Sequence, residues 1–328
     1  MYMGFFYFES KFKICIDRIQ KLRQGNKMRN LFLIFLLIFT LSSCATNQVA
    51  VSKYESGNYE DSFKILKELA NKGDVRAQRN LAIFYYNGKG VKQDFSEALK
   101  WFNKADNTEY LIVKEKADKG NVVAQYELYF FYKDGKGVKQ DNVEAIKWLE
   151  KSVEGGYLKA KELLGEVYFE GKIVKQNYEK AFKIFEDIAN RYIGEKYIIS
   201  NSRSKIGEMY QKGLGVKQDY IKAVYWYEKS DISIESSQNL GDMYYYGTGV
   251  KQDYKKAIET YKKVDSCHNY YNLGIMYYKG EGTKVDKEKS YKYWTSCAKS
   301  SNKEMAKNIK EKLDILCKEN QEICINKR

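Results

Sequence analysis

The chain has one histidine, His268, and it stands next to Cys267. A Cys–His pair can activate a thiol, but adjacency along the chain does not create the required hydrogen-bond geometry. A lone histidine also leaves a hydrolase or a His-rich metal site nothing further to recruit. His268 is expected in the short connector before the last repeat. Two stretches match Ser-x-x-Lys: Ser202-Arg203-Ser204-Lys205 and Ser296-Cys297-Ala298-Lys299. Acyl-transfer enzymes with that pattern also carry Lys-Thr-Gly and Ser-Asp-Asn, which are absent here. With 57 Lys and Arg residues, chance matches are expected. Recurring Gly-x-Gly blocks resemble a phosphate cradle, but they lack the third glycine, and no GxxxxGK[ST] is present. These residues predict no catalytic site, no metal and no cofactor.

Six cysteines occur. Cys44 follows a segment with its own logic, in which Arg29 follows Met28, an apolar run covers Leu31 to Leu41, and Ser42 and Ser43 come next. The run is shorter than the ~20 residues a spanning helix needs. Basic start, short apolar core and small residues read as a signal peptide; an uncleaved anchor or a buried helix is the other reading. Leu41-Ser42-Ser43-Cys44 resembles the bacterial lipobox. The resemblance implies cleavage before Cys44, lipidation of its sulfur and amine, and firm membrane anchoring. Ala45, rather than Asp, then implies the outer membrane, or the outer face of the plasma membrane in a single-membrane cell. Translation is expected to start at Met28, with residues 1–43 comprising an N-terminal extension and the signal peptide. Cys15 lies upstream of that start. Cys267, Cys297, Cys317 and Cys324 remain, and an even count in an exported chain points to disulfides. Cys317 with Cys324 is the first expected pair, because a short loop joins them. Cys267 and Cys297 are expected to end second helices of adjacent repeats, too far apart to bridge. All four thiols free is the remaining alternative.

The elements that must carry these residues are repeats. GKGVKQD at Gly88 returns at Gly135, as GKIVKQN at Gly171, GLGVKQD at Gly213, GTGVKQD at Gly247 and GEGTKVD at Gly280. Successive first glycines are 47, 36, 42, 34 and 33 residues apart. The long intervals place insertions around Asn107–Lys116 and Arg191–Asn201. Seven residues before each first glycine stands Leu81, Leu128, Leu164, Ile206, Leu240 or Leu273, and four residues later comes a Tyr in every copy. That i, i+4 pair is the buried stripe of a first helix. Just after the aliphatic come Ala82, Gly165, Gly207, Gly241 and Gly274, which let a neighbouring helix approach; Tyr129 should splay that contact in the second repeat. The glycines end the helix, although Ile173 replaces the second one in the third repeat, so that turn should differ. Asp94, Asp141, Asn177, Asp219, Asp253 and Asp286 are N-caps for a second helix, with Glu97 and Glu144 placed for capping boxes. The second helix carries a small residue and then Trp101, Trp148, Ile184, Trp226, Thr260 or Tyr293, with Tyr261 and Trp294 directly after the last two.

The pattern LGxxYxxGxGVxxD followed by Ala and an aromatic resembles the Sel-one-like repeat family, relatives of tetratricopeptide repeats, over about residues 54–300. NLGDMYYYGTGVKQDYKKA and KIGEMYQKGLGVKQDYIKA are the clearest copies. The resemblance implies an all-α, right-handed superhelical solenoid with a concave face, acting as an adaptor between proteins. Cysteine-rich relatives place cysteines eight residues apart across helix junctions, a spacing this chain lacks, so their pattern is not carried over. Some such relatives are linked to penicillin binding or weak β-lactamase activity, a third reading beside the scaffold and a wall-glycan binder.

The expected organisation is a lipidated N-terminus and capping helix pair (44–74), six repeats (75–300) and a closing helix with tail (301–328). The absence of proline suits long helices, and 44% hydrophobic content supports a packed interior. The first 43 residues hold seven Lys or Arg against two acids, leaving +9 of the chain's +14 for the rest. Acids and bases alternate there, so the charge reads as solvated helix faces. The reading is a non-enzymatic protein–protein scaffold in the cell envelope, with no nucleic acid and no small-molecule substrate. Partner binding is assigned to the first helices at Arg79, Glu127, Glu166, Glu208, Asp242 and Asn272. The glycan-binding alternative would use exposed tyrosines such as Tyr86, Tyr245 and Tyr278.

Overall fold

The computed structural model describes residues 46–191, 194–230, 233–298 and 302–325. Cys44 and the signal segment lie outside these residues. Among the described residues there is no strand. The chain divides into two units. One holds the described residues up to Ile112 with Lys136–Val138; the other holds Val113–Gly135 and the chain from Lys139.

The first unit begins with α1 (46–55), α2 (Tyr59–Asn71) and α3 (Val75–Asn87). Ala50, Leu66, Leu69 and Ala70 close over Ala77, Leu81 and Phe84 of α3, so the two leading helices cover the end of the first repeat. Asn58 and Asp74 cap α2 and α3 through their side chains. The next helix, α4 (Phe95–Asp118), is 24 residues long and continues into the second unit. The insertion after Asn107 is therefore absorbed as extra helical turns, which its lack of Gly and Pro permits.

The second unit is built of helix pairs: α5 (Val122–Asp134) with α6 (Asn142–Glu154), and α7 (Leu158–Glu170) with α8 (Tyr178–Arg191). Then come α9 (Lys196–Lys212) with α10 (Tyr220–Glu228), and α11 (Ile234–Tyr246) with α12 (Tyr254–Tyr261). The sixth repeat is α13 (Cys267–Lys279) with α14 (Lys287–Ser296), followed by α15 (Lys303–Glu319) and α16 (Gln321–Ile325). Each pair packs on the next in chain order, an all-α repeat fold of the solenoid class.

The repeated heptapeptide is a double clamp. Its first glycine ends the first helix in the left-handed region, as at Gly213 (φ 69°). The Asp or Asn backbone N–H then donates to the repeat's Tyr carbonyl, as in Asp219 to Tyr210 at 2.9 Å. The same bond recurs in all six repeats. The preceding Gln donates to the next carbonyl, as Gln218 Nε2 does to Gln211 O at 2.8 Å. Two orphan carbonyls at the helix end are thereby satisfied. The sixth repeat has Val285 in place of that Gln. Since the Asp N–H is already engaged, Glu97 and Glu144 do not complete capping boxes; they pair with Lys100 and Lys147 at 2.7 and 2.9 Å.

Glycine next to the buried aliphatic admits an aromatic from the second helix. A Cβ on Gly241 would lie 2.3 Å from the Tyr261 ring, and one on Gly207 would lie 2.6 Å from Tyr227. Gly165 and Gly274 accept Phe185 and Trp294 in the same way. The second repeat corrects the expectation of a splayed contact. Tyr129 is only 2% exposed and packs with Ala145 and Leu149. The volume has been exchanged between helices: the bulk sits on the first helix and the second offers Leu149 instead of a ring. The third-repeat turn keeps both clamps, Asn177 to Tyr168 at 2.9 Å and Gln176 to Phe169 at 2.9 Å, despite Ile173.

Two chain positions differ from expectation. Ser266 caps α13, so Cys267 and His268 begin the first helix of the sixth repeat rather than lying in a connector. Cys297 ends the second helix of that same repeat. Antiparallel partners bring one helix's start beside the other's end, and the two Cα atoms are 5.4 Å apart with the sulfurs bonded. Cys317 and Cys324 are also bonded, with Cα atoms 5.7 Å apart.

Candidate functional site

The polar residues assigned to partner binding all lie on first helices, between the buried stripe positions. In the first unit, Arg79 on α3 bridges Asp106 at 2.9 Å and Glu109 at 2.6 Å. In the second unit, Glu127 on α5 is exposed, and Glu166, Glu208, Asp242 and Asn272 are half-buried on α7, α9, α11 and α13.

Three of these are carboxylates at one register position, five residues before the first glycine. On α7, Glu162, Glu166 and Glu170 follow one another at i, i+4 and i+8, a like-charge stripe costing about 0.2–0.5 kcal/mol per neighbouring pair. Burial raises the pKa of Glu166, the charges of Glu162 and Glu170 add to it, and the Lys205 charge and a hydrogen bond from Asn201 offset it only in part. Burial likewise raises Glu162, although Asn201 Nδ2 donates to it at 2.8 Å. Glu166 makes no ion pair among the described residues. On α9, burial acts to raise Glu208, but Lys212 at 2.8 Å and Lys205 at 3.1 Å outweigh it and hold its pKa below the usual range.

On α11, Asp242 is the acceptor of a closed network. Tyr261 Oη donates to its Oδ1 at 2.5 Å, His268 Nε2 lies 3.0 Å away, and Asn272 Nδ2 lies 3.2 Å away. Asn272 also reaches Tyr261 Oη at 3.2 Å. Burial first, and then the Asp242 carboxylate, push the Tyr261 hydroxyl well above its ordinary value. His268 is thus held on a helix face by Asp242, not beside a free thiol, since Cys267 is bonded to Cys297. In the fourth repeat, Tyr227 Oη similarly bridges Gln211 at 2.7 Å and Asn239 at 3.0 Å. These second-helix tyrosines reach the first-helix face through the glycine gaps, a role not legible from the sequence pattern.

A cleft of about 290 Å3 lies between α5 and α7. Tyr129, Leu163, Val167 and Ile173 supply its apolar lining. Glu166 and Glu170 bring carboxylates, and Lys133 and Lys172 bring cations that sit near Asp134 (3.6 Å) and Glu170 (3.0 Å). Burial raises the pKa of the Tyr129 hydroxyl to about 12.

The other chemical candidates are placed unfavourably for catalysis. Ser202 is fully buried, and Lys205 of the same Ser-x-x-Lys stretch pairs with Glu208. Ser296 Oγ donates to the Lys292 carbonyl at 2.8 Å, and Lys299 lies outside the described residues. Among the described residues no three His, Cys, Asp or Glu side chains are grouped to hold a metal. Of the tyrosines considered for glycan stacking, Tyr86 is exposed. Tyr245 and Tyr278 are half-buried and donate to Glu281 and Glu319.

Consecutive glycine-linked helix pairs, stacked so that each buries the next, define an α-solenoid repeat protein, a class that binds along extended helix faces. The Sel1 repeat model matches residues 75–105, 122–157, 158–190, 200–230, 234–263 and 270–302, more than half of the chain, and the chain belongs to the Sel1 repeat family. Among solved structures it resembles c5321, a protective antigen of uropathogenic Escherichia coli strains displaying an SLR fold. The two are 29% identical with a TM-score of 0.52, over 74% of this chain and 50% of that one. Among curated proteins it is similar to two Arabidopsis thaliana ERAD-associated E3 ubiquitin-protein ligase components. HRD3B is 39% identical over 51 residues, 15% of this chain and 8% of that protein. HRD3A is 37% identical over 65 residues, 20% of this chain and 9% of that protein. The chain thus spans less than a tenth of the length of these curated relatives.

Proposed function

We propose that this chain is a non-enzymatic protein-interaction scaffold, anchored in the bacterial cell envelope by lipid on Cys44 and binding partners along its first helices. The carrying observation is the division of labour within those helices. The aliphatic position is buried in every copy, as with Leu128, Ile206, Leu240 and Leu273, and the Tyr four residues on is buried at Tyr244 and Tyr277 and half-buried in the other four, whereas the polar positions between them change type from repeat to repeat. A uniform frame with a varied face suits recognition of an irregular partner surface. The buried Ser202 and the engaged His268 weigh against acyl-transfer chemistry, and the engagement of Tyr245 and Tyr278 weighs against glycan stacking. Similarity to ligase components of a protein-quality-control machinery fits an adaptor role and carries no ligase activity with it.

Crosslinking of cells expressing the tagged full-length protein, with a Cys44→Ser version alongside, tests this reading. Capture of a defined envelope protein that disappears in the Cys44→Ser cells is the expected result. Capture of wall fragments alone, or of nothing, overturns it.

A further inference from the structure

We infer that the cleft between α5 and α7 seats a single basic side chain, Lys or Arg, from a protein segment lying along the first-helix face. This deepens the scaffold reading and rests on it. Two register departures build the cleft. The position that is glycine in repeats three to six is Tyr129 in the second, and the second turn glycine is replaced by Ile173 in the third. The two lie 44 positions apart in the chain, and the fold brings both to one concavity with Leu163 and Val167. A glycine at either place would supply no wall. Its volume, about 290 Å3, is near the lower limit of ligand pockets and suits one long side chain better than a packed helix.

The chemistry of the walls selects the occupant. An aliphatic stem lies favourably on Tyr129, Leu163 and Ile173, while a cationic head stays at the polar rim, the arrangement Lys and Arg prefer. Glu166 and Glu170 stand at that rim. Lys172 is already engaged with Glu170 at 3.0 Å, and Glu166 makes no ion pair among the described residues. A purely apolar occupant would desolvate Glu166 further, with only Asn201 and the charge of Lys205 to offset the cost. An anion would meet the Glu162–Glu166–Glu170 stripe, and the two cleft lysines are already engaged, Lys172 with Glu170 and Lys133 with Asp134. A guanidinium or ammonium relieves both costs with a charge-assisted hydrogen bond.

An array of short random peptides, probed with the purified full chain and its variants, tests the assignment. Retained peptides are expected to share a Lys or Arg, and Glu166→Gln to weaken their retention about tenfold. Ile173→Gly keeps the charge and removes the floor, and is expected to weaken the same peptides. Glu179→Gln, on the second helix α8, is expected to leave retention unchanged. Circular dichroism and melting curves establish that each variant is folded. Peptides retained without a basic preference, or a preference that survives both cleft variants, would overturn the cleft assignment while leaving the scaffold reading intact. Retention of no peptide also overturns it, and the crosslinking experiment then decides the scaffold reading on separate grounds.

Discussion

Glu166, Glu208 and Asp242 occupy one register position on three successive first helices, and their surroundings differ in kind. Glu166 stands beside Glu162 and Glu170 at the rim of a cleft with apolar walls, with Lys205 and Asn201 only partly offsetting them. Glu208 is flanked by Lys205 and Lys212. Asp242 accepts from Tyr261 and Asn272 and lies 3.0 Å from His268 Nε2. The charge demands are met within the chain at the sixth-repeat end, whereas at the third repeat Asn201 and the Lys205 charge offset the burial and like-charge cost on Glu166 only in part. That end is also tied covalently, by Cys267–Cys297 across one repeat and Cys317–Cys324 in the closing helices. Within one repeat array, then, the sixth repeat is held by its own side chains and disulfides, while the third carries a carboxylate whose cost is only partly offset.

The tied end breaks first by removal of its covalent link. Replacing both Cys267 and Cys297 by Ser opens a link between residues 30 apart in sequence and should cost about 3 kcal/mol. Urea unfolding of the oxidised wild type against the double variant measures it; an unchanged midpoint would show that the bond does not form in solution. Asp242→Ala comes next. It strands the buried Tyr261 hydroxyl and should cost about 1–2 kcal/mol by the same measurement.

The two glutamates give smaller effects of opposite sign. Glu208 has a depressed pKa, so its contribution is present above the unfolded value of about 4.3 and fades as pH falls through the folded one. Glu208→Gln should therefore destabilise at neutral pH by up to about 1 kcal/mol, with the deficit vanishing in acid. Glu166 has a raised pKa, so its stabilisation is complete below about pH 4.3 and is lost as pH rises through the folded value. Glu166→Gln should raise neutral-pH stability slightly, by at most about 0.5 kcal/mol, and leave acid stability unchanged. Melting temperatures of the two variants across pH should move in opposite directions; shifts of the same sign would erase the contrast between the repeats.

Much of the fold is written in local pattern. The aliphatic–Tyr spacing marks each first helix, glycine marks its end, and Asp or Asn marks the next start, because caps and helix faces depend on residues a few positions apart. The candidate face was legible to the same extent, since Glu166, Glu208, Asp242 and Asn272 fall between buried positions. Their separate fates were not. Lys205 and Lys212 lie on the same helix as Glu208, yet the same local reading cannot tell that Tyr261 reaches Asp242 from a second helix.

By itself, then, the sequence determined the repeat count, the helix–turn–helix unit and the polar face, all set by short-range spacing and chain stereochemistry. Tertiary structure alone decided that Tyr129 exchanges volume with Leu149, that Cys267 meets Cys297, and that Tyr129 and Ile173 share a cleft. Those outcomes depend on how antiparallel helices align end to end and how neighbouring first helices pack. Such alignments join residues tens of positions apart, where no local periodicity carries information.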